Sequence, residues 1–364
     1  MLDPYGDLAD LFQAVVDVES VSGNERALAD AVDEALRACP HLDVRRTGQV
    51  IVARTTLGRD QRVVLAGHLD TVPLAANLPS RWEERDGERV LWGRGSVDMK
   101  GGVAVMVALA AQVTRPRFDL TWLFYDNEEV DAEANGLNQL ARSDPSALQG
   151  DCAVLLEPTA ARIEGGCQGT LRVALRTTGQ AAHSARSWTG HNAIHDLARA
   201  LVILQTFQAP RVMVDGLEYR EGLNAVRVSG GIAGNVVPDR AELHVNYRFA
   251  PDKQPADALA ICRDLFAGYD VTVLDAAPGA RPGLDAAVLQ DLVTRAGGEA
   301  VPKFGWTDVA RFAALGIPAI NFGPGDANLA HSDDEHCPLA QVERCHAVLE
   351  GWLNPPRQTD PAVA

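Results

Sequence analysis

The residues best suited to chemistry stand directly after runs of apolar side chains. Residues 63–66 form an uninterrupted apolar run, which leads through Gly67 into His68 and Asp70. Such a run is typical of a strand buried on both faces. Residues two apart in an extended chain point to the same side, so Asp70 could hold the ring of His68 while His68 faces a metal. A satisfied pair of loop residues would give the same pattern, and this motif alone leaves both interpretations open.

Asp98 lies in a glycine-rich turn at residues 93–102. The segment that follows, 103–113, is apolar on every side, which predicts a helix buried between layers. Gly93 and Gly95 are a weak signal, because the Gly-Lys-Ser/Thr of a phosphate-binding loop is missing. The turn therefore places one carboxylate near the start of a buried helix.

Further carboxylates follow two other apolar runs. Glu128 and Glu129 come after the run 120–125, and Glu157 comes after the run 153–156. Adjacent carboxylates at the end of a buried strand repel each other unless a cation or a shared proton relieves them. Because an open α/β sheet carries its chemistry beyond the carboxyl ends of its strands, we expect these groups to meet at one edge.

These groups and a histidine in a late loop form a donor set of two imidazoles and three carboxylates. Structural zinc sites prefer thiolates in closed coordination, whereas this set suits a catalytic pair of divalent ions with open positions. One carboxylate would bridge the ions, and each ion would gain one histidine and one further carboxylate. Glu128 would remain available as a base. The five candidate ligands are His68, Asp98, Glu129, Glu157 and His331.

The surrounding pattern predicts an alternation of strands and helices. A change in texture near residue 178 predicts a second domain of strand–helix–strand–strand–helix–strand order, a ferredoxin-like α/β sandwich inserted into the first. We therefore predict an α/β protein with a mixed-sheet catalytic domain at 1–177 and 286–364 and an inserted domain at 178–285. Helices are predicted at 8–18, 25–38, 192–205, 255–267, 285–296, 309–315 and 339–353, strands at 44–54, 61–67, 224–233, 240–249, 270–275 and 317–322, and a surface loop at 74–90.

Bulk composition narrows the class of protein. A chain of 364 residues is too long for one average core, which favours two domains. Its net charge of −16 argues against nucleic acid or an anionic membrane as the main partner. We expect no signal peptide and no membrane span. The six cysteines are scattered without a Cys-x-x-Cys motif, which predicts reduced thiols in a cytoplasmic protein. The Pro-rich tail after Asn354 is expected to be disordered.

The motifs in their order resemble the dinuclear zinc peptidase and deacylase family, which includes carboxypeptidases, aminoacylases and succinyl-diaminopimelate desuccinylases. The resemblance covers nearly the whole chain. It rests on Gly-His-Leu-Asp-Thr-Val-Pro at 67–73, Gly-Arg-Gly-Ser-Val-Asp-Met-Lys-Gly-Gly at 93–102, Asp-Asn-Glu-Glu at 126–129, Leu-Glu-Pro-Thr at 156–159 and Ala-His-Ser-Ala at 182–185.

The resemblance implies a role for each candidate in a site with two zinc ions per subunit and Co²⁺ as an alternative metal. His68 and Glu157 would hold one ion, Glu129 and His331 the other, and Asp98 would bridge them. Asp70 would orient His68, and Glu128 would be the general base. The family also has a cis peptide after the bridging carboxylate, here between Asp98 and Met99.

Within the family, segments at 125–130, 187–195, 305–312 and 321–326 are most similar to succinyl-diaminopimelate desuccinylases of the actinobacterial type. This implies cleavage of an N-succinyl amino acid, N-succinyl-LL-2,6-diaminopimelate, in lysine and diaminopimelate biosynthesis. The inserted domain would form a homodimer, and His183 would reach the neighbouring subunit's site. The residues expected to contact substrate are Asn235, Arg248, Arg186, Asn192 and Thr307.

Two alternatives remain open at this stage. The nearer one is another amide hydrolase of the family, such as an acetylornithine deacetylase, an aminoacylase or a carboxypeptidase. The more distant one is a non-catalytic homologue that keeps the fold as a binding module. Such a homologue would be expected to have lost ligands or the base, and here all seven core positions are present.

Overall fold

A computed structural model describes residues 2–354 of the chain, and the tail predicted to be disordered lies outside this range. The chain divides into two compact units. Unit 1 contains the residues up to Gly165, Gly283–Val301 and the residues from Thr307 onward, and unit 2 contains Gly166–Pro282 and Pro302–Trp306. Among the described residues, no helix combines the length and the apolar character that crossing a bilayer would require.

The described residues form the following strands and α-helices, numbered in chain order. The strands are β1 (Asp43–Thr47), β2 (Val50–Arg54), β3 (Arg62–His68), β4 (Arg81–Arg85), β5 (Glu88–Trp92), β6 (Asp119–Tyr125), β7 (Cys152–Leu155), β8 (Ile163–Gly165), β9 (Gly169–Thr178), β10 (Arg211–Val214), β11 (Leu217–Arg220), β12 (Gly222–Gly230), β13 (Arg240–Phe249), β14 (Asp270–Ala277), β15 (Ala300–Pro302), β16 (Ala319–Asn321) and β17 (His336–Pro338). The α-helices are α1 (Leu8–Asp17), α2 (Arg26–Arg37), α3 (Lys100–Gln112), α4 (Gly136–Ser143), α5 (Ala193–Asp196), α6 (Ala198–Thr206), α7 (Pro255–Leu265), α8 (Ala287–Arg295), α9 (Val309–Ala314) and α10 (Leu339–Leu353).

An eight-stranded mixed sheet forms the centre of unit 1, in the order β1-β2-β6-β3-β7-β16-β8-β15. β3 pairs in parallel with both β6 and β7, and β16 pairs in parallel with β7. These strands are buried, as their apolar runs predict. Their carboxyl ends therefore meet at one edge of the sheet, where the chain continues into the candidate ligands. The predicted α/β class with a mixed sheet is confirmed.

Helix α3 is buried along its length from Lys100 to Ala111, as its apolar sequence predicts. It packs close to the chain that leaves β7, because a Cβ atom on Gly102 would collide with the carbonyl oxygen of Leu156. Only glycine permits this approach. The helix that starts after Asp98 is thus pressed against the segment that carries Glu157.

Two sequence predictions in unit 1 are wrong. The single strand predicted at 44–54 is the antiparallel hairpin β1–β2, which turns at Gly48 with φ +62°. The loop predicted at 74–90 contains β4 and the start of β5, which join β17 in a three-stranded sheet. Charged residues dominate β4 and the start of β5, and no residue of β4 is buried, so these segments lack the apolar run or alternation that predicts a strand.

Unit 2 is built on an antiparallel sheet in the order β12-β13-β9-β14. Every second residue of β13 is buried, and helices α5, α6 and α7 contribute to the same core. The unit begins at Gly166 rather than at residue 178, because β9 pairs along its whole length with β13. It ends at Pro282 rather than at 285, apart from the return segment Pro302–Trp306.

Candidate metal centre

His68 is the last residue of β3 and is buried, with an exposed fraction of 1%. Its Nδ1 donates to the backbone carbonyl of Asp70 at 3.0 Å, which directs Nε2 to Asp98 Oδ1 at 3.1 Å. Burial lowers the pKa of His68, but the carboxylates of Asp70 and Asp98 beside its two ring nitrogens outweigh this effect and raise that pKa well above its usual range. The ring thus presents one nitrogen to a carboxylate and is fixed through the other.

Asp98 lies between two imidazoles. Its Oδ1 faces His68, and its Oδ2 is 3.4 Å from Nε2 of His331. Burial raises the pKa of Asp98, but the hydrogen bonds to His331 and His68 dominate and hold it well below its usual range. The peptide bond from Asp98 to Met99 is cis, as the resemblance implied. Each oxygen of this carboxylate therefore faces a different imidazole.

Glu129 completes the contact between distant parts of the chain. Its Oε1 is 2.7 Å from Nε2 of His331. The hydrogen bonds to Asp98 and Glu129 raise the pKa of His331 to about 10. His331 has φ +63°, a left-handed conformation that a non-glycine residue rarely adopts. Strain of this kind clusters at functional sites, which fits a histidine held in place for binding.

Asp70 does more than the sequence predicts. Its Oδ1 accepts the backbone N–H of Glu128 at 3.0 Å, and its Oδ2 accepts that of Glu129 at 3.1 Å. The Ser22 hydroxyl also donates to Oδ2 at 2.8 Å. Oδ1 of Asp70 is 3.5 Å from Nδ1 of His68. That ring nitrogen instead donates its hydrogen bond to the backbone carbonyl of Asp70. Asp70 therefore joins the end of β3 to the turn after β6.

Glu128 lies in that turn, beside the ligand candidates. Burial raises the pKa of its carboxyl well above the usual range, and the charges of Asp308, Glu157 and Glu129 add to this, whereas His68 opposes it. A carboxylate with this tendency to take up a proton has the property required of a general base.

Glu157 directly follows the buried end of β7 and has an exposed fraction of 4%. Its charge contributes to the raised pKa values of His68 and Glu128, so it lies in their neighbourhood. Among the described residues, the group whose ligand atoms all lie within 4.8 Å of one another consists of His68, Asp98 and Glu129. Glu157 and His331 lie outside this group, although His331 contacts both Asp98 and Glu129.

The donor atoms fit divalent metal ions. Imidazole nitrogens and carboxylate oxygens from β3, the Asp98 turn, the loop after β6 and the His331 loop face one another at hydrogen-bond distance. Such a set suits zinc and similar ions in an open catalytic site.

Arg94 and Glu335 also contact this site, although sequence reasoning did not select them. Glu335 Oε1 accepts the backbone N–H groups of Val97 and Asp98, and Arg94 pairs with Oε2. The sequence offers only their spacing as a signal: Arg94 lies four residues before Asp98, and Glu335 lies four residues after His331. Charged residues so close to ligands in a loop resemble ordinary solvated charges, and only their burial shows otherwise.

The remaining predicted site residues have these positions. Thr307, in unit 1, is buried, and its hydroxyl donates to Asn321 Oδ1 at 2.9 Å. In unit 2, His183 is exposed and its Nδ1 accepts the N–H of Ala185 at 3.1 Å. Asn192 caps α5 through the N–H of Ile194.

Three further residues of unit 2 were predicted to contact substrate. Asn235 is exposed. Its backbone carbonyl accepts the N–H of Ser184, the residue after His183, at 2.9 Å. Arg186 is exposed in the same segment. Arg248 Nη1 is buried on β13 without a hydrogen-bond partner among the described residues. Burial lowers the pKa of this guanidinium.

Comparisons with known proteins agree with these observations. A protein named provisionally as a succinyl-diaminopimelate desuccinylase in Mycobacterium tuberculosis is 52% identical, over 97% of this chain and 99% of the relative. The succinyl-diaminopimelate desuccinylase of Corynebacterium glutamicum is 44% identical, over 97% of this chain and 98% of the relative.

The fold has a counterpart among solved structures. A tripeptidase of Staphylococcus aureus superposes with a TM-score of 0.78 at 18% identity, over 97% of this chain and 98% of that one. The model of peptidase family M20/M25/M40 matches residues 64–354, which include every candidate ligand. The chain therefore belongs to peptidase family M20/M25/M40.

Proposed function

We propose that this protein is an N-succinyl-LL-2,6-diaminopimelate desuccinylase, which hydrolyses the amide bond of its substrate to succinate and LL-diaminopimelate in lysine biosynthesis. The observation that carries the reaction class is the meeting of His68, Asp98, Glu129 and His331 at hydrogen-bond distance. The substrate follows from the names of the relatives at 52% and 44% identity, which match nearly the whole chain.

The proposed cofactor is a pair of Zn²⁺ ions in each subunit, with Co²⁺ as an alternative. Asp98 would bridge them, because its two oxygens already face the two imidazoles. His331 and Glu129, which lie in contact, would hold one ion. His68 and Glu157 would hold the other. These assignments follow the family resemblance, and the geometry of Asp98 supports them.

In the proposed mechanism, one proton moves from the attacking water to the departing amine. When bound, the ions would supply positive charge that acidifies water and polarises the scissile carbonyl. Glu128 takes the proton from the attacking water and gives it to the departing amine. Asp70 holds the backbone of Glu128, so the position of the base is fixed relative to β3.

His183 is proposed to stabilise the oxyanion that develops on the carbonyl. Because its Nδ1 accepts a backbone N–H, the neutral ring carries its proton on Nε2, and this donor end is available to a ligand. A single oxyanion donor of this kind contributes about 3 kcal/mol in other hydrolases. The resemblance implies that this histidine acts in the site of the partner subunit.

The proposed homodimer would form through the inserted unit. Strand β12 is an edge strand, and together with α6 it exposes Leu201, Val202, Val226 and Val228. An exposed apolar patch of this kind on an edge strand is typical of a protein interface. The segment of His183 is tied to the chain just after β12 through Asn235. Dimerisation there would carry His183 towards a neighbouring subunit.

Substrate carboxylates are proposed to bind to arginine. Arg248 supports this best, because its buried Nη1 has no partner among the described residues and a carboxylate would supply one. Arg186 would assist from the His183 segment. Asn235, Asn192 and Thr307 are proposed as further contacts. Asn192 and Thr307 make hydrogen bonds of their own, to the N–H of Ile194 and to Asn321, and these bonds fix the positions of the two side chains.

Steady-state kinetics on a substrate panel test this proposal. The zinc-loaded enzyme would be given N-succinyl-LL-diaminopimelate, N-acetylornithine, other N-acyl amino acids and a dipeptide with a free carboxyl end. We expect the succinyl substrate to have the highest kcat/KM and activity to disappear on chelation. A higher kcat/KM for another member of the panel would overturn the substrate assignment. No hydrolysis of any member by protein with two bound ions would favour a binding module.

A further inference from the structure

Arg94 and Glu335 form an ion pair that is almost completely removed from solvent. Their exposed fractions are 3% and 1%, and Arg94 Nη1 lies 3.0 Å from Glu335 Oε2. Burying two charges costs several kcal/mol per ion, and an apolar pair of similar volume is often at least as stable. A contribution to stability is therefore a weak explanation for this buried ion pair. The other hydrogen bonds of the two side chains indicate a different role.

The second oxygen of Glu335 is bonded to the turn that carries Asp98. Oε1 accepts the backbone N–H of Val97 at 3.0 Å and that of Asp98 at 3.1 Å. Hydrogen bonds to an ionised acceptor are the stronger kind, and two successive amides leave the turn little freedom. The position of the Asp98 backbone thus depends on Glu335.

Arg94 is bonded to the segment that follows His331. Its Nη1 donates to the carbonyl of Ser332 at 3.1 Å as well as to Glu335. The N–H of Gly93 also donates to the carbonyl of Glu335 at 3.0 Å. The pair therefore ties the Asp98 turn to the His331 loop through side chains and backbone together.

We infer that Arg94 and Glu335 are positioning residues that fix the separation of Asp98 and His331 and thereby the affinity of the site for its second metal ion. This inference rests on the proposed function, because it takes Asp98 and His331 as ligands. Both Glu335 oxygens are engaged by Val97, Asp98 and Arg94, so Glu335 acts through Asp98 rather than on a metal or substrate. Outer residues of this kind typically change metal affinity 10- to 100-fold when replaced.

The experiment is zinc titration of the metal-free protein by calorimetry, with the visible spectrum of the cobalt-loaded protein as a second readout. Removing one partner would leave a buried charge unpaired and could prevent folding. Arg94 and Glu335 are therefore replaced together, as Arg94→Met with Glu335→Gln, which keeps the acceptor for Val97 and Asp98. Glu335→Asp alone keeps the charge but withdraws the carboxylate by one methylene. We expect about 10- to 100-fold weaker binding of the second zinc and an altered cobalt spectrum in both proteins.

Asp119→Asn is the matched control. Asp119, the first residue of β6, is also buried. It accepts the backbone N–H groups of Leu57 at 2.7 Å and Arg59 at 3.0 Å, and the loop that contains these two residues carries no proposed ligand. We expect this variant to be less stable to urea but to bind both zinc ions with wild-type affinity. Wild-type zinc affinity and cobalt spectrum in folded Glu335→Asp would overturn the inference. An equal loss of affinity in Asp119→Asn would also overturn it, because general destabilisation would then explain the effect.

Asp98→Asn separates this inference from the proposed function. If Asp98 is the bridging ligand, this variant loses affinity for zinc directly. Undiminished binding of two ions by Asp98→Asn would reject the ligand assignment itself, and with it the premise of the inference. Normal loss in Asp98→Asn with no effect in the Arg94 and Glu335 variants would reject the inference alone.

Discussion

The carboxylate of Asp70 accepts the backbone N–H of Glu128, with 3.0 Å between Oδ1 and nitrogen. The neighbouring N–H of Glu129 is bonded to the other oxygen. One side chain at the end of β3 therefore sets the position of the proposed base and of a proposed ligand, both of which follow β6. Because β3 and β6 are parallel neighbours, this contact crosses between adjacent strand ends.

Replacement of Asp70 by asparagine tests this link. Asparagine keeps one acceptor oxygen, but its amide nitrogen would face a backbone N–H that it cannot accept. We expect Asp70→Asn to lower both zinc affinity and kcat by about 10- to 100-fold. Ser22→Ala removes only the third donor to Asp70, and its effect should be smaller in both measurements. Equal effects of the two variants would contradict the proposed link.

Replacement of Glu128 by glutamine removes the proposed base with little change in volume. We expect kcat to fall by about 10²- to 10⁴-fold, because a positioned general base contributes in this range. Zinc content should remain two ions per chain. Glu133→Gln, an exposed carboxylate in the same loop that pairs with Arg142, is the control and should keep wild-type kcat. Wild-type turnover by Glu128→Gln would reject its role.

Mixing two inactive variants tests whether His183 acts across subunits. Glu128→Gln and His183→Ala are each expected to be inactive or nearly so. In a mixed dimer, the subunit with intact Glu128 receives intact His183 from its partner. Activity should therefore return to about a quarter of the wild-type level after random exchange of subunits. Absence of any recovery in verified mixed dimers would show that His183 serves its own subunit.

A charge on the apolar face of unit 2 should prevent dimerisation. Val228 is 61% exposed on edge strand β12, and a lysine there would have to be desolvated in an interface. We expect Val228→Lys to be monomeric in analytical ultracentrifugation. Val273→Lys places the same charge on β14, the opposite edge of the sheet, and should leave the dimer intact. The reverse result would assign the interface to β14.

His346 gives a pH dependence of stability. Burial lowers its pKa, and Glu350 opposes this, while its Nε2 lies 2.9 Å from Gln112 Oε1. The unfolded chain therefore binds more protons at this residue than the folded chain below about pH 6.5. The free energy of unfolding should fall as the pH drops from 7.5 towards 5.5, and His346→Gln should show a smaller fall in urea titrations. An identical slope in both proteins would contradict this.

Much of the site is predictable from sequence because its chemistry resides in residue types placed after apolar runs. His68 and Glu157 follow buried strands, and a parallel sheet brings such strand ends to one edge. The same logic predicts α3, whose apolar sequence permits burial on every face. His331 carries no such local signal. Only the need for a second imidazole ligand and the family resemblance indicate it.

Only the tertiary structure shows how these groups are held. The bond from Asp70 to Glu128 spans 58 residues, and the bond from Glu335 to Asp98 spans 237. A hydrogen bond between distant segments leaves no periodic pattern in the sequence, because it requires only one suitable atom on each side. The same limit hid β4 and β5, whose polar faces resemble a loop until their pairing with each other and with β17 is seen. Sequence thus specifies the reacting groups, whereas folding decides their separation and therefore what they can bind.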